Sequence, residues 1–226
     1  MRTDLLTRAA FFLLASCLTL SLFLSASAAP PQKAEGQVAV CFDGDTLKLN
    51  DRRIVRLAGI DAPEVAHKNL QAQYYSREAR LLLINLAKGR KVSLLPAGSE
   101  EKDAYGRIIA DVILPDGSSL SDAMVSSGAA FFYPHKNLSP GLQKRLLELQ
   151  RQAIREKRGM WQHILESPIA RQHYVGNRMS LRFFPEGCPE AQRIRPRKQM
   201  HFGTLMDAFH AGYAPARICP FWPIQK

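Results

Sequence analysis

Three short strands, a helix, two more strands and two further helices, in that order, predict an α+β chain that is mainly β. That order is expected of a small five-stranded barrel of the oligonucleotide-binding (OB) type with three helices packed on it, here with a small C-terminal extension. Three stretches carry the reading: alternating runs on either side of Gly44, a helical pattern over 71–88 placed before the fourth strand, and a proline-opened helix over 140–158. The length of 226 residues agrees, since it exceeds one moderate domain and leaves room for additions at both ends.

Taken in order, Arg2 and Arg8 precede an apolar run from Ala9 to Leu24 that ends in Ser25-Ala26-Ser27-Ala28-Ala29. This is the pattern of a signal peptide over residues 1–28, cleaved after Ala28, which predicts a secreted or periplasmic protein. Two alternatives stand beside it: lipidation at Cys17 in Leu14-Ala15-Ser16-Cys17, and an uncleaved membrane anchor. Removing residues 1–28 takes away Arg2, Arg8 and Asp4, so a formal net charge of +11 becomes +10. So basic a chain favours polyanionic partners, either nucleic acid or an anionic membrane surface.

A linker is expected over 29–36. Val38–Phe42 and Thr46–Leu49 then read as strands joined at Gly44, and Arg53–Ala58 as a third whose period of two puts Ile54, Arg56 and Ala58 on one face. The helix over 71–88 shows Tyr75, Ala79, Leu82, Leu83 and Leu86 at helical spacing, with Gly89 past its end. Strands follow over 91–95 and 107–114, the second closed by Pro115-Asp116-Gly117. Ser121 is expected to cap a short helix to Ser127, and Ser139 with Pro140 to open the last one.

The chemistry concentrates in two acidic turns, Asp43-Gly44-Asp45-Thr46 and Asp61-Ala62-Pro63-Glu64, with Arg56 between them. The four carboxylates of these turns and Arg56 fall within 22 residues, at the ends of short apolar runs that a sheet would bring to one rim. A hard cation such as calcium wants carboxylate, carbonyl and water oxygens, and Asp45 with Asp61 supply two, leaving Glu64 to act on a water. Either turn alone reads equally well as an ordinary solvated turn. The pair, joined by a second arginine in Asp103-Ala104-Tyr105-Gly106-Arg107, does not.

Asp-Gly-Asp-Thr, then Arg-Leu-x-Gly-Ile-Asp-x-Pro-Glu, then Tyr-Gly-Arg together resemble the staphylococcal nuclease family, over roughly residues 37–161. The resemblance implies a calcium-dependent nuclease acting on DNA and RNA with little sequence specificity and leaving 3′-phosphate ends. One calcium would be held by Asp45, Asp61 and the Ala62 backbone carbonyl. Glu64 is the candidate general base, Arg56 and Arg107 the phosphate clamp, and Asp43 a support behind the ligands. Tyr105 matches a position near the nucleotide, and Tyr133 is a candidate for stacking on a base. Ala104 and Tyr133-Pro134-His135 depart from the family's nucleotide-contacting residues. The protein is expected as a monomer, with no stable protein partner.

Residues 162–226 carry nine Lys or Arg against four acids, a local net of +5. Tyr174-Val175-Gly176-Asn177, Cys188-Pro189 and the run from Ala211 to Cys219 resemble the small metal-binding module of the Ada repair protein. Phe184 and Ala216 stand where that module places two of its four ligands, so zinc is not expected, with residual binding by Cys188, Cys219 and His201 or His210 as the rival. In an oxidising compartment a Cys188–Cys219 disulfide would do the fastening instead, with Cys41 left as a buried thiol. Beside the nuclease, a catalytically inactive nucleic-acid-binding barrel of the cell envelope and a tethered, envelope-binding protein remain as alternatives.

Overall fold

The structure, a computed structural model, describes residues 34–67, 70–219 and 221–224. The expected signal segment, with its Ala28 cleavage point and Cys17, lies outside the described residues. Strands β1 (Ala34–Cys41), β2 (Thr46–Leu49), β3 (Ile54–Leu57), β5 (Lys91–Pro96) and β6 (Ile108–Ile113) close into a barrel in the order β1-β2-β3-β6-β5. The sequence's five-stranded OB barrel is therefore present. Its two-residue period works as expected in β3, where Val55 and Leu57 are fully buried in the barrel core while Ile54 is exposed. Arg56 shares the outward face with Ile54, as predicted, but the strand ends at Leu57 and Ala58 turns inward, its N–H bonded to the Ala110 carbonyl.

Four boundaries differ from the sequence reading, each for a physical reason. Residues 34–36, assigned to the linker, are strand: Ala34 to Gln37 pair with Leu94 to Lys91 and help to close the barrel. Helix α1 runs Ser76–Ala87 and starts five residues later than expected, because Gln73 and Tyr74 are engaged elsewhere: Gln73 N–H donates to the Glu64 carbonyl and Tyr74 N–H to that of Pro223. Helix α2 (Leu120–Ser126) is capped by Ser119, which accepts from Asp122 N–H. Ser121 is buried and donates to the Ala58 carbonyl. Helix α3 (Pro140–Arg155) has the Ser139 cap and Pro140 start that were predicted, but stops before 158 because Lys157 turns left-handed, at φ 52°.

Two short strands, β4 (Ile60–Asp61) and β7 (Phe131–Phe132), pair with each other and fix the second acidic turn to the chain beyond α2. The C-terminal region builds a four-stranded sheet of β8 (Tyr174–Asn177), β9 (Arg182–Pro185), β10 (Gln199–Phe202) and β11 (Ala214–Pro215), ordered β10-β8-β9-β11, with helices α4 (Trp161–Glu166), α5 (Pro189–Gln192) and α6 (Leu205–His210) around it. Phe131, Trp161, Phe183, Phe209 and Trp222 share one apolar cluster, with the Trp161 and Phe209 ring centroids 4.9 Å apart. This cluster joins the barrel's helical side to the extension, so residues 34–224 pack as one unit with no seam near residue 161.

Cys188 and Cys219 form the expected disulfide, their Cα atoms 6.2 Å apart. Phe184 packs with Cys219 into a small cluster around Cys188, Val175 and Ala191. Cys41 is a buried free thiol.

Candidate active site

The first turn places its acid by close approach. A Cβ on Gly44 would come within 2.6 Å of the Ala62 Cβ and 2.9 Å of the Ala79 Cβ, so only glycine lets this turn lie against the second acidic turn and α1. Asp43 folds the turn by accepting the Asp45 N–H at 2.9 Å. Asp45 and Asp61 are each 4% exposed. Asp45 Oδ2 accepts the Ala62 N–H at 2.9 Å, and its Oδ1 accepts from the Thr46 hydroxyl at 2.8 Å. The two turns thus meet at a single carboxylate.

Arg56 lies across both acids. Its Nη1 donates to Asp45 Oδ1 at 2.5 Å, and its Nη2 to Asp61 Oδ1 at 2.6 Å and to the Ile60 carbonyl at 3.0 Å. Burial works against the guanidinium's charge, but the Asp45 and Asp61 carboxylates outweigh it and hold Arg56 above the ordinary arginine range. Burial likewise pushes the Asp45 carboxyl up from its usual range, against the pull of Arg56. Glu64 is half-buried, and its carboxyl is raised by burial first, with Arg217 opposing and Asp61 and Asp45 adding to the rise. A carboxyl displaced upward in this way is a better proton acceptor when ionised, which suits a general base.

Arg107 is placed by Asp103. Asp103 Oδ1 accepts the N–H groups of Tyr105 and Arg107, both at 3.0 Å, and its Oδ2 accepts Arg107 Nε at 2.6 Å. Arg107 Nη1 lies 3.5 Å from the Thr46 hydroxyl, which links the second arginine to the first acidic turn. Arg56, Arg107, Tyr105 and Tyr133 all line one cleft of about 460 Å³. Tyr105 is 86% exposed there. Tyr133 already has a partner on its ring, because the Arg182 guanidinium carbon lies 3.5 Å from its centroid; a base would have to stack on the other face or displace Arg182.

Every residue singled out in the acidic turns and the Tyr-Gly-Arg motif falls in this one region. The sequence missed Thr46, Asp103, Gln73, Arg182 and Arg217. Asp103 and Thr46 lay inside quoted motifs, and an Asp opening a glycine-containing turn was a usable signal. Gln73 Oε1 accepts the Glu64 N–H at 2.9 Å, a local contact that no pattern announces. Arg217, from the extension, reaches the acids: its Nη2 donates to Asp61 Oδ1 and lies 3.3 Å from Glu64 Oε1.

The donors facing this point are all oxygens, which suits a hard cation and excludes a soft one. Among the described residues no three His, Cys, Asp or Glu side chains are spaced to hold an ion by themselves. Calcium takes six to eight oxygens, so the expected set of Asp45, Asp61 and the Ala62 carbonyl would need water or substrate to complete it.

Residues 54–163 match the family model described as staphylococcal nuclease homologue. An uncharacterized endonuclease of Escherichia coli is 36% identical over 129 residues, which cover 56% of this chain and 76% of that protein. The chain belongs to the staphylococcal nuclease homologue family. A probable endonuclease, LCL3, of Komagataella phaffii is 33% identical over 120 residues, covering 50% of this chain and 51% of that protein. Endonuclease YhcR of Bacillus subtilis is 27% identical over 220 residues and covers 85% of this chain but 18% of its own length. That match is too long for the barrel alone and runs into the C-terminal sheet, which joins the staphylococcal nuclease homologue barrel here without a break in packing. The Asp43–Thr46 turn precedes the residues that the family model matches, so its part in the site rests on geometry.

Proposed function

We propose that this nuclease hydrolyses phosphodiester bonds of DNA and RNA with one bound calcium ion, and leaves 3′-phosphate ends. The observation that carries the reading is Arg56 bridging Asp45 and Asp61 at the edge of a cleft that Arg107 also lines. Asp45, Asp61 and the Ala62 carbonyl would hold the ion, which when bound supplies a Lewis acid for a phosphoryl oxygen. Glu64 accepts a proton from the attacking water as its oxygen bonds to phosphorus. The P–O5′ bond breaks, and the departing 5′ oxygen takes a proton back.

Arg56 and Arg107 meet the charge that develops on the phosphoryl oxygens, a task suited to the planar guanidinium fork. Asp103 holds Arg107 through Nε, and Arg107 lines the cleft with its Nη1 3.5 Å from the Thr46 hydroxyl. Contacts of this kind read phosphate and not base, which supports low sequence specificity. Tyr105 is open to an unstacked base, which favours single-stranded or fraying regions. Export as a monomer after removal of residues 1–28 belongs to the same proposal; the N-terminal sequence of protein recovered outside the cytoplasm tests that part.

Digestion of a single-stranded oligonucleotide with calcium, and again with a chelator, tests the chemistry. Calcium-dependent cleavage that Glu64→Gln abolishes is expected, with phosphate on the 3′ ends of the fragments. A folded preparation that binds the oligonucleotide without cutting it would make the chain an inactive nucleic-acid-binding barrel instead.

A further inference from the structure

Two arginines of the C-terminal extension reach the site, Arg182 on the Tyr133 ring and Arg217 on the acids. The Arg217 backbone is pinned on both sides: Ala214 N–H bonds to the Leu181 carbonyl at 3.0 Å and Ala216 N–H to that of Phe183 at 2.9 Å, while Cys219 is tied to Cys188. Further on, Trp222 Nε1 donates to the Tyr74 carbonyl at 3.3 Å, and the Tyr74 N–H donates to that of Pro223 at 2.7 Å. The segment is thus laced across the mouth of the site. The tip of the side chain is different, with the Arg217 side chain 57% exposed.

That exposed guanidinium sits on Asp61 and Glu64, two of the three acids around the candidate ion position. Asp61 Oδ1 already accepts from Arg56. Three carboxylates and two guanidinium groups leave one formal negative charge, and a divalent ion added with Arg217 in place would turn this into an excess of positive charge at the same oxygens. Moving Arg217 away restores the balance. Arg217 also lines the cleft shared by Arg56, Arg107 and Arg182, so a guanidinium leaving the acids has somewhere to go.

We propose that Arg217 is a displaceable counter-ion: it holds Asp61 and Glu64 in the cation-free protein, and a divalent cation drives it onto a phosphate of the strand in the cleft. The proposal rests on reading the site as a calcium-dependent nuclease. A planar fork serves both partners, since carboxylate and phosphate present matching pairs of oxygens. The extension then acts on the reaction directly by coupling cation binding to strand binding.

The test is calorimetric titration of the full chain with calcium chloride for the wild type, Arg217→Gln and Arg217→Lys, followed by cleavage of a single-stranded oligonucleotide at saturating calcium. Removing the charge should tighten calcium binding about tenfold or more, tenfold being the scale for a unit charge about 6 Å from a divalent ion at the dielectric of water. Lysine keeps the charge and should stay near the wild type. At saturating calcium, Arg217→Gln should raise KM and lower the slope of log KM against log salt by about 0.7, the loss of one phosphate contact to a single strand. Arg217→Met gives the same readouts should glutamine disturb folding. Equal or weaker calcium binding by the folded neutral variants overturns the proposal. Tighter calcium with an unchanged salt slope keeps the counter-ion and overturns its transfer to phosphate. No calcium bound by any form overturns the cation reading of the site and the exchange with it, a result distinct from equal binding by all.

Discussion

Asp45 and Ala62, 17 positions apart in the chain, are joined by a hydrogen bond in which Asp45 Oδ2 accepts the Ala62 N–H at 2.9 Å. The carboxylate that should ligate the ion is also the splice between the two acidic turns. Every polar contact it makes is as an acceptor, from Thr46, Arg56 and Ala62. Asp45→Asn puts an amide donor against one of those donors and leaves Arg56 short of a buried partner. Breaking a buried pair in this way should cost about 3 kcal/mol, seen as a lower urea midpoint alongside lost cleavage. A variant that loses cleavage at full stability would show that Asp45 serves chemistry alone.

Arg56→Lys separates charge from shape. The guanidinium reaches Asp45 with one terminal nitrogen and Asp61 with the other, and an ammonium cannot span both. Cleavage at saturating calcium should fall at least about a hundredfold in kcat, the usual scale for losing one donor aimed at developing charge. Activity within a few-fold of the wild type would mean that only the positive charge matters.

Asp103→Ala should act through Arg107 without touching substrate. The carboxylate fixes Arg107 by three hydrogen bonds, at its own N–H, at Nε and through the neighbouring Tyr105 N–H. Loosening a positioned group by about an ångström can cost as much as a hundredfold, so kcat/KM should drop by about ten- to a hundredfold with the melting temperature little changed. Paired measurement with Arg107→Ala checks the route, because the double variant should be no worse than Arg107→Ala alone.

Sequence reading reached the barrel and the acids because both are written in short-range patterns. Val55 and Leu57 alternate with Arg56, and Asp43, Gly44 and Asp45 form a turn whose residues are chosen for local reasons. It failed where a residue answers to something distant. Ser119 took the cap expected of Ser121 because Ser121 was needed by the Ala58 carbonyl, 63 residues away. Helix α1 began late because Tyr74 pairs with Pro223, and no local propensity carries that information. Arg217 lies 156 residues from Asp61, in a segment whose arginines all look alike in the sequence.

Thiol counting tests the cysteine arrangement. Burial pushes the Cys41 thiol up to about 11 against the pull of Arg80. At pH 8 only about one Cys41 in a thousand is then thiolate, so the folded protein should resist alkylation. Unfolding in urea without reductant should expose Cys41 alone of the three cysteines at 41, 188 and 219, and reductant should raise the count to three. Cys17 adds one to either unfolded count where residues 1–28 are retained. Three thiols without reductant would remove the disulfide, and with it the tie at Cys219 that follows Arg217 in the chain.

Gln150 decides whether barrel and extension unfold together. It is fully buried on α3, where its Oε1 accepts the Phe132 N–H at 2.8 Å and its Nε2 donates to the Phe209 carbonyl at 3.1 Å. One side chain therefore satisfies the strand that pairs with Ile60 and Asp61 and the helix at the heart of the extension. Gln150→Leu keeps the volume but strands the buried Phe132 N–H, at about 1–3 kcal/mol, while the Phe209 carbonyl keeps the Gly212 N–H at 3.0 Å. Both tryptophans lie in the cluster that joins the barrel to the extension, so their fluorescence reports that junction, while far-UV circular dichroism reports the whole. In urea the two signals should trace one transition in the wild type, and the variant should shift both curves together by an amount equivalent to about 1–3 kcal/mol. A fluorescence transition that precedes the dichroism change, already in the wild type, would show that the extension opens on its own. Arg217 would then leave the acids by local unfolding as well as by competition with the cation.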